Sequence, residues 1–251
     1  MKKITALFFI LVFAIATTWA QNAKQSDGLL DGYFTVSTGL GVPIGNFGSN
    51  STVNPNAYGA QTGVNFEMNY AARFSNYLGV AIMVRSVAVA HSVTSTAGYF
   101  DGNDPNYLWS AEATPDKIKM AMAGLYGTVP LGKKKDFMLF FKPMLGASFV
   151  AQTSTTYNLI AQEPHYSNGT ITVTTGGQSY AFAYSFALGL KYNITPLFAF
   201  MAQVDYMSTN PMFNAQAVIA TGPHIYYQDV TPYYLRMQML SFNIGLALKV
   251  N

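Results

Sequence analysis

The chain contains no cysteine. That excludes a disulfide framework, thiolate metal sites and a cysteine nucleophile. It also removes the cysteine on which a lipoprotein anchor would be built. Charge is almost as scarce. Only 10% of the residues are Asp, Glu, Lys or Arg, against roughly 25% in ordinary soluble domains. The net charge of +3 comes without a dense basic patch, which argues against nucleic acid as a partner. Three histidines lie too far apart for metal-ligand spacing, and no Walker or dinucleotide glycine pattern occurs. No metal and no cofactor is expected. Beyond the first twenty residues no apolar run reaches the ~18 residues that a membrane-spanning helix requires.

What remains is apolar and aromatic: 50% of residues are hydrophobic and 15% are Phe, Trp or Tyr. The N-terminus has the form of a signal peptide over residues 1–20. Lys2 and Lys3 make a basic start, Ile4–Ile15 an apolar stretch, and Thr18-Trp19-Ala20 a cleavage site. A polar leader, residues 21–31, follows. The remainder, 32–251, reads as one domain. A secreted chain this apolar, with no spanning helix, has the composition of a membrane β-barrel.

The alternation of residues carries the rest. In Ser179–Asn193, Tyr180, Phe182, Tyr184, Phe186, Leu188, Leu190 and Tyr192 fall on one face. Ala181, Ala183, Ser185, Ala187, Gly189, Lys191 and Asn193 fall on the other. A strand in a lipid-embedded barrel turns its bulky face to hydrocarbon and its small polar face to the lumen. The same pattern predicts strands at Gly32–Val42, Tyr58–Arg73, from Leu78 to about Val84, Phe137–Gln152, Phe198–Tyr206 and from Leu240 to the end. A further strand, Ile118–Val129, has Met, Ala, Gly and Leu on both faces, so its outward side is not assignable. Pro143 predicts a bulge in the fifth strand. Tight turns are expected at Ser75-Asn76, Gly132–Asp136 and Asn193–Pro196, and long polar loops at Ser92–Pro115, Thr153–Gln178 and Ser208–Tyr234. Long and short connections therefore alternate, which puts the long loops outside and both termini in the periplasm. The spacings Tyr58 to Tyr70, Phe137 to Phe149 and Tyr180 to Tyr192 are each about 12 steps. At ~3.4 Å per residue and ~40° of tilt they separate two aromatic girdles by roughly 30 Å.

The run Gly39-Leu40-Gly41-Val42-Pro43-Ile44-Gly45-Asn46-Phe47, the alternating connections and the terminal Asn243–Asn251 strand resemble small Gram-negative outer-membrane β-barrels of the OmpA-transmembrane-domain and OmpX type. The resemblance implies an eight-stranded antiparallel up-and-down transmembrane β-barrel, inserted by the barrel assembly machinery. Many such barrels end on phenylalanine; this chain ends Lys249-Val250-Asn251.

Inward-facing polar residues are expected at Glu67, Arg85, Lys142, Lys191, Gln203, Asp205 and Lys249. An eight-stranded barrel is just wide enough for side chains to fill, so these charges must pair, Glu67 with Arg85 first. A polar plug is the favoured reading and a narrow selective path the other. His91 lies beside Ser92 and Ser95, but adjacent strand residues face opposite ways and no carboxylate is placed to orient the imidazole, so no catalytic residue is assigned. In the loops, Tyr99, Phe100, Tyr107, Leu108 and Trp109, and Ile225, Tyr226, Tyr227, Tyr233 and Tyr234, either cover the mouth or bind a glycan, lipid or protein. Lys133–Lys135 form a solvated turn able to touch lipid phosphates.

These features point to a non-enzymatic outer-membrane barrel with a structural, adhesive or partner-binding role, in contact with outer-membrane lipid and, through its loops, an external ligand or protein. The alternatives are a narrow channel or porin for small solutes or hydrophobic compounds, a lipid-modifying barrel enzyme, and a soluble carrier with its bulky faces turned inward. The chain is expected to leave membranes only with detergent and to migrate differently on a gel before and after boiling. Release by buffer alone, with no shift, would favour the soluble carrier.

Overall fold

The computed structural model describes residues 32–51, 58–75, 77–92, 107–132, 136–151, 154–162, 168–175, 178–221 and 224–250. The expected signal peptide and leader, Tyr99, Phe100, Lys133–Lys135 and His165 lie outside the described residues.

Eight antiparallel strands close into a barrel. They are β1 (Gly32–Pro43), β2 (Gly63–Arg73), β3 (Leu78–Val89), β5 (Asp116–Leu131), β6 (Phe137–Ala151), β9 (Gln178–Asn193), β10 (Phe198–Thr209) and β13 (Met237–Val250). Neighbours along the chain are neighbours in the wall, and β1 meets β13 to close it, in register from Gly32 opposite Val250 to Pro43 opposite Met239. Two of the tight turns use one device: the hydroxyls of Ser75 and Thr195 accept the amides of Leu78 and Phe198, each at 2.9 Å. In a third turn Gly132 takes φ +75°, a conformation open to glycine.

Alternation sets the facing as expected. Phe182, Phe242 and Phe66 are exposed on the outside, whereas Glu67 and Asp205 are buried within. The strand whose side was unassigned, β5, turns Ile118, Met120, Met122 and Tyr126 inward and Leu125, Val129 and Leu131 outward. Its pattern was blurred because methionine fills the lumen here, where small polar residues stand on other strands.

Three expectations are corrected. The loops at Ser92–Pro115, Thr153–Gln178 and Ser208–Tyr234 carry strands: β4 (Tyr107–Ala113), β7 (Thr155–Ala161), β8 (Gly169–Thr175), β11 (Met212–Thr221) and β12 (His224–Tyr234). These pair in the order β12-β11-β8-β7-β4. Each prolongs a wall strand across a gap of two or three residues, so five of the eight wall strands rise into an open sheet above one end of the barrel. Runs such as Thr170-Ile171-Thr172-Val173-Thr174 are rich in β-branched residues and suit a strand despite their polarity.

Second, β2 begins at Gly63, and Tyr58 is not part of the outer girdle. Gly59 at φ +72° breaks the strand, and Tyr58 turns toward the lumen to stack on Phe47 at 5.4 Å. Third, Pro143 makes no bulge. The β5–β6 ladder lapses for two residues opposite Lys142 and Pro143 and resumes in unchanged register, Gly124 opposite Met144 and Gly127 opposite Phe141. Proline lacks a donor, and the wall simply omits the bond there.

Phe186 is 50% exposed midway along the outer face of β9. Phe186→Arg is expected to lower the unfolding free energy in lipid by about 2–4 kcal/mol, read from the shift of a denaturant midpoint; Ala187→Ser, facing the lumen, is the control.

Candidate functional site

At mid-height the lumen holds a closed set of charges. Glu67 and Arg85 stand directly opposite each other on β2 and β3, and the Arg85 guanidinium donates to the carboxylates of both Glu67 and Asp205. Lys142 Nζ donates to Glu67 Oε1 at 2.8 Å, and Gln203 Nε2 donates to Glu67 Oε2 at 3.1 Å. Two carboxylates therefore face two cations, and all four side chains are at most 2% exposed. At this burial an uncompensated charge would cost several kcal/mol, so neutrality is what makes the set tolerable.

Five of the seven expected lumen residues meet in this way, and two stand apart. Lys191 places its ammonium 3.1 Å from the centroid of the Tyr33 ring, a cation–π contact near the turn end. Lys249 is half-buried and lines, with Tyr33, Asp136 and Asn193, a cavity of about 400 Å³ at that end.

The lumen is two-sided. Its β5–β6 wall is apolar, with Ile118, Met120, Met122, Phe140 and Met144 buried. Its β13–β1–β2 wall is small and polar, with Ser37, Asn65, Ser241 and Asn243 buried around Gly39, Gly41 and Gly63. Gly39 sits opposite both Asn65 and Asn243, and a β-carbon there would run into the Phe242 carbonyl oxygen. The Asn65 and Asn243 amides and the Ser37 and Ser241 hydroxyls have no hydrogen-bond partner among the described residues.

Above the charges, the chain leaving β1 folds back over the mouth. A one-turn helix, α1 (Gly45–Gly48), presents Phe47 with no exposed surface. The amides of Tyr58 and Ala60 donate to the carbonyls of Asn46 and Phe47 at 3.0 and 2.9 Å. Tyr58 then binds the wall, its hydroxyl donating to Asp116 Oδ2 at 2.8 Å, while His91 Nε2 lies 3.1 Å from the same oxygen. A carboxylate does orient His91, contrary to the sequence-based expectation. Asp116 was missed because it is the first residue of an unassignable strand, 25 residues after His91. The arrangement is a latch: Tyr58 meets the His91 ring edge-on at 4.5 Å, and no serine among the described residues bonds to the imidazole. His224 lies at the start of β12, remote from the latch in sequence and in strand order.

Of the loop aromatics, Tyr107 and Trp109 fall on β4, an edge of the open sheet, and Tyr226, Tyr227, Tyr233 and Tyr234 on β12, its other edge. Tyr226, Tyr227 and Tyr234 are 57%, 70% and 68% exposed. Tyr233 instead turns in and packs on Phe213 at 5.8 Å. Burial beside Tyr233 pushes the Tyr157 phenol above its ordinary pKa.

Around the outside, large apolar side chains form a continuous exposed belt on consecutive wall strands: Phe66, Val80, Leu145, Phe182, Phe200 and Phe242 among them. Aromatic pairs bound it, Phe137 with Tyr192 at 4.6 Å near one end and Phe149 with Tyr180 at 5.2 Å near the other. A water-soluble surface is not built this way, and all backbone pairing in the wall is internal. The chain is a transmembrane β-barrel.

No family model matches the barrel, and no curated protein matches it. Solved structures similar to it include Neisserial surface protein A, at 12% identity over 87% of this chain and 97% of that one, with a TM-score of 0.44. OprG, an outer membrane protein from Pseudomonas aeruginosa, is 16% identical over 89% and 98%, TM-score 0.42. Ail, the attachment invasion locus protein of Yersinia pestis, is 12% identical over 90% and 100%, TM-score 0.41. The barrel itself is established by its own strand ladders.

Removing one partner of the lumen set leaves its neighbours charged and buried. Arg85→Met is expected to destabilise the folded barrel by about 3–5 kcal/mol, and Arg85→Met with Asp205→Asn, which leaves Glu67 paired with Lys142 in a neutral set, by much less. Equilibrium unfolding in lipid vesicles gives both values.

Proposed function

We propose that this is an outer-membrane barrel whose filled lumen serves as a scaffold, and whose raised five-stranded sheet is an external, non-enzymatic platform for a ligand or partner protein. Both ends of the wall, Gly32 and Val250, then lie on the periplasmic side with the tight turns. The observation that carries this reading is the rooting of the sheet. Five strands continue the wall strands beneath them in the same lateral order, which holds the edge strand β12 on a rigid base. Binding residues are best positioned from such a base. The β12 edge offers Ile225, Tyr226, Tyr227 and Tyr234 to solvent, large side chains with few rotatable bonds and so little entropy to lose on contact. Tyr107 and Trp109 on β4 belong to the same proposal, as the opposite edge.

One observation favours a second reading, a narrow hydrated path. The polar wall at Ser37, Asn65, Ser241 and Asn243 has buried groups without protein partners, and such groups ordinarily bind water. The charge set and the Phe47 cap lie across that path.

Two measurements separate the readings. Protease added to intact cells is expected to cut the β11–β12 hairpin and leave the tight turns untouched; cleavage only after the envelope is opened would reverse the orientation. Planar bilayers holding the barrel are expected to stay silent, and discrete conductance steps would support the path in place of the plug.

A further inference from the structure

The outward face of β5 changes character along its length. From the turn end it runs through Leu131, Val129, Leu125, Ala123 and Ala121, and then reaches Lys119 and Lys117. Both lysines are exposed. Asp116, Ile118 and Met120, which alternate with them, are buried in the lumen, so the two ammonium groups share the side that faces lipid. Lys119 stands opposite Phe149 of β6, the ring that meets Tyr180 in the girdle nearer the raised sheet. Lys117 is two residues further along the strand, which at ~40° of tilt is about 5 Å further from the bilayer centre. The pair therefore brackets the boundary between acyl chains and head groups.

The surroundings leave room there. Across the strand boundaries the lysines face Ser86 and Ala88 on β3 and, for Lys117, Ala151 on β6. Lys117 thus has a small neighbour on each side and Lys119 has one on the β3 side, with the Phe149 ring on the other, which makes a shallow furrow with two cations at its upper end. The nearest carboxylate in the chain, Asp116, points the other way and is engaged by Tyr58 and His91. None of the ion pairs among the described residues uses either lysine. A single lysine at this depth would be ordinary snorkelling, with its stem along apolar surface and its head in the polar layer. Two on one face, i and i+2, bring both ammonium groups within reach of one phosphate.

We propose that Lys117 and Lys119 form a binding site for the head group of an anionic phospholipid in the leaflet on the side of the raised sheet, with an acyl chain lying in the furrow toward Ala121 and Ala123. The assignment of that leaflet rests on the outer-membrane reading above; the charge complementarity does not. The site would tie the barrel to anionic lipid on one flank.

The test is native mass spectrometry of the folded barrel released from bicelles of equal parts dimyristoyl-phosphatidylcholine and dimyristoyl-phosphatidylglycerol, lipids that differ only in the head group. The wild type is expected to retain phosphatidylglycerol preferentially. Lys117→Gln and Lys119→Gln should each reduce that preference by about fivefold, and replacement of both by arginine should keep it. Equal retention of the two lipids by the wild type, or an unchanged preference in the double glutamine variant, would overturn the proposal. So would loss of bound lipid to millimolar inorganic phosphate, which would make the site one for a free anion. Folding is verified for each variant by its gel shift on boiling, and the single variants serve should the double one fail it. A chain that does not enter the bicelles would sink the membrane reading itself, whereas a folded barrel without head-group preference would sink only the site.

Discussion

Closure of the sheet is the constraint on which everything else depends. In hydrocarbon a backbone amide or carbonyl has no water to bond, so an open edge in the wall would leave a row of unsatisfied groups at several kcal/mol each. The seam is made by the two strands furthest apart in the chain, β1 and β13, and runs from Gly32 opposite Val250 to Pro43 opposite Met239. Once the wall is closed, every other residue has only two places to go. Bulky side chains can dissolve in lipid, and the rest must fit inside a tube that eight strands make only as wide as its own side chains. The raised sheet, by contrast, is open at β12 and β4, which is tolerable because it stands above the apolar belt, in water.

The interior answers that confinement with balance. Charges are brought in as a neutral set, Glu67 and Asp205 with Arg85 and Lys142, in which each carboxylate receives at least one charged donor. Such a set adds little stability over an apolar filling; what it enforces is that all members be present together. The polar wall of β13, β1 and β2 and the methionine-rich wall of β5 and β6 give the lumen a polar side and an apolar side, and the charge set spans the two from Glu67 on β2 to Lys142 on β6. Over this the Phe47 turn is held down by Tyr58, whose hydroxyl reaches Asp116 on β5, two strands along the wall from β2.

The wall was legible in the sequence because lipid imposes alternation directly: Tyr180 to Tyr192 reads outward without a break, and so does Leu240 to Leu248. The inward polar residues followed from the same parity, and five of the seven, four of them charged, do meet. Where an inward position is filled by methionine, as at Met120 and Met122, the contrast between faces vanishes and so does the reading of β5. The raised sheet was hidden for another reason. Its strands are wetted on much of both faces, so Thr, Asn and Tyr replace apolar residues and the segments resemble loops. The Tyr58–Asp116–His91 latch joins residues from three separate segments through a turn at Gly59, and nothing local marks such a meeting. Tyr58 itself was misread because its parity matches the outer face of β2, and only the left-handed Gly59 takes it off that strand.

The methionines give the lumen a chemical asymmetry. Nine of them, Met83, Met120, Met122, Met138, Met144, Met201, Met207, Met237 and Met239, are buried inside the wall, Met237 and Met239 with no exposed surface, whereas Met212 stands 43% exposed at the base of the raised sheet. Thioethers convert to sulfoxides where peroxide can reach them. An oxidant in the surrounding medium would thus mark Met212 while the barrel is shut. Oxygen on the enclosed sulfurs would be a record of how often the tube has opened.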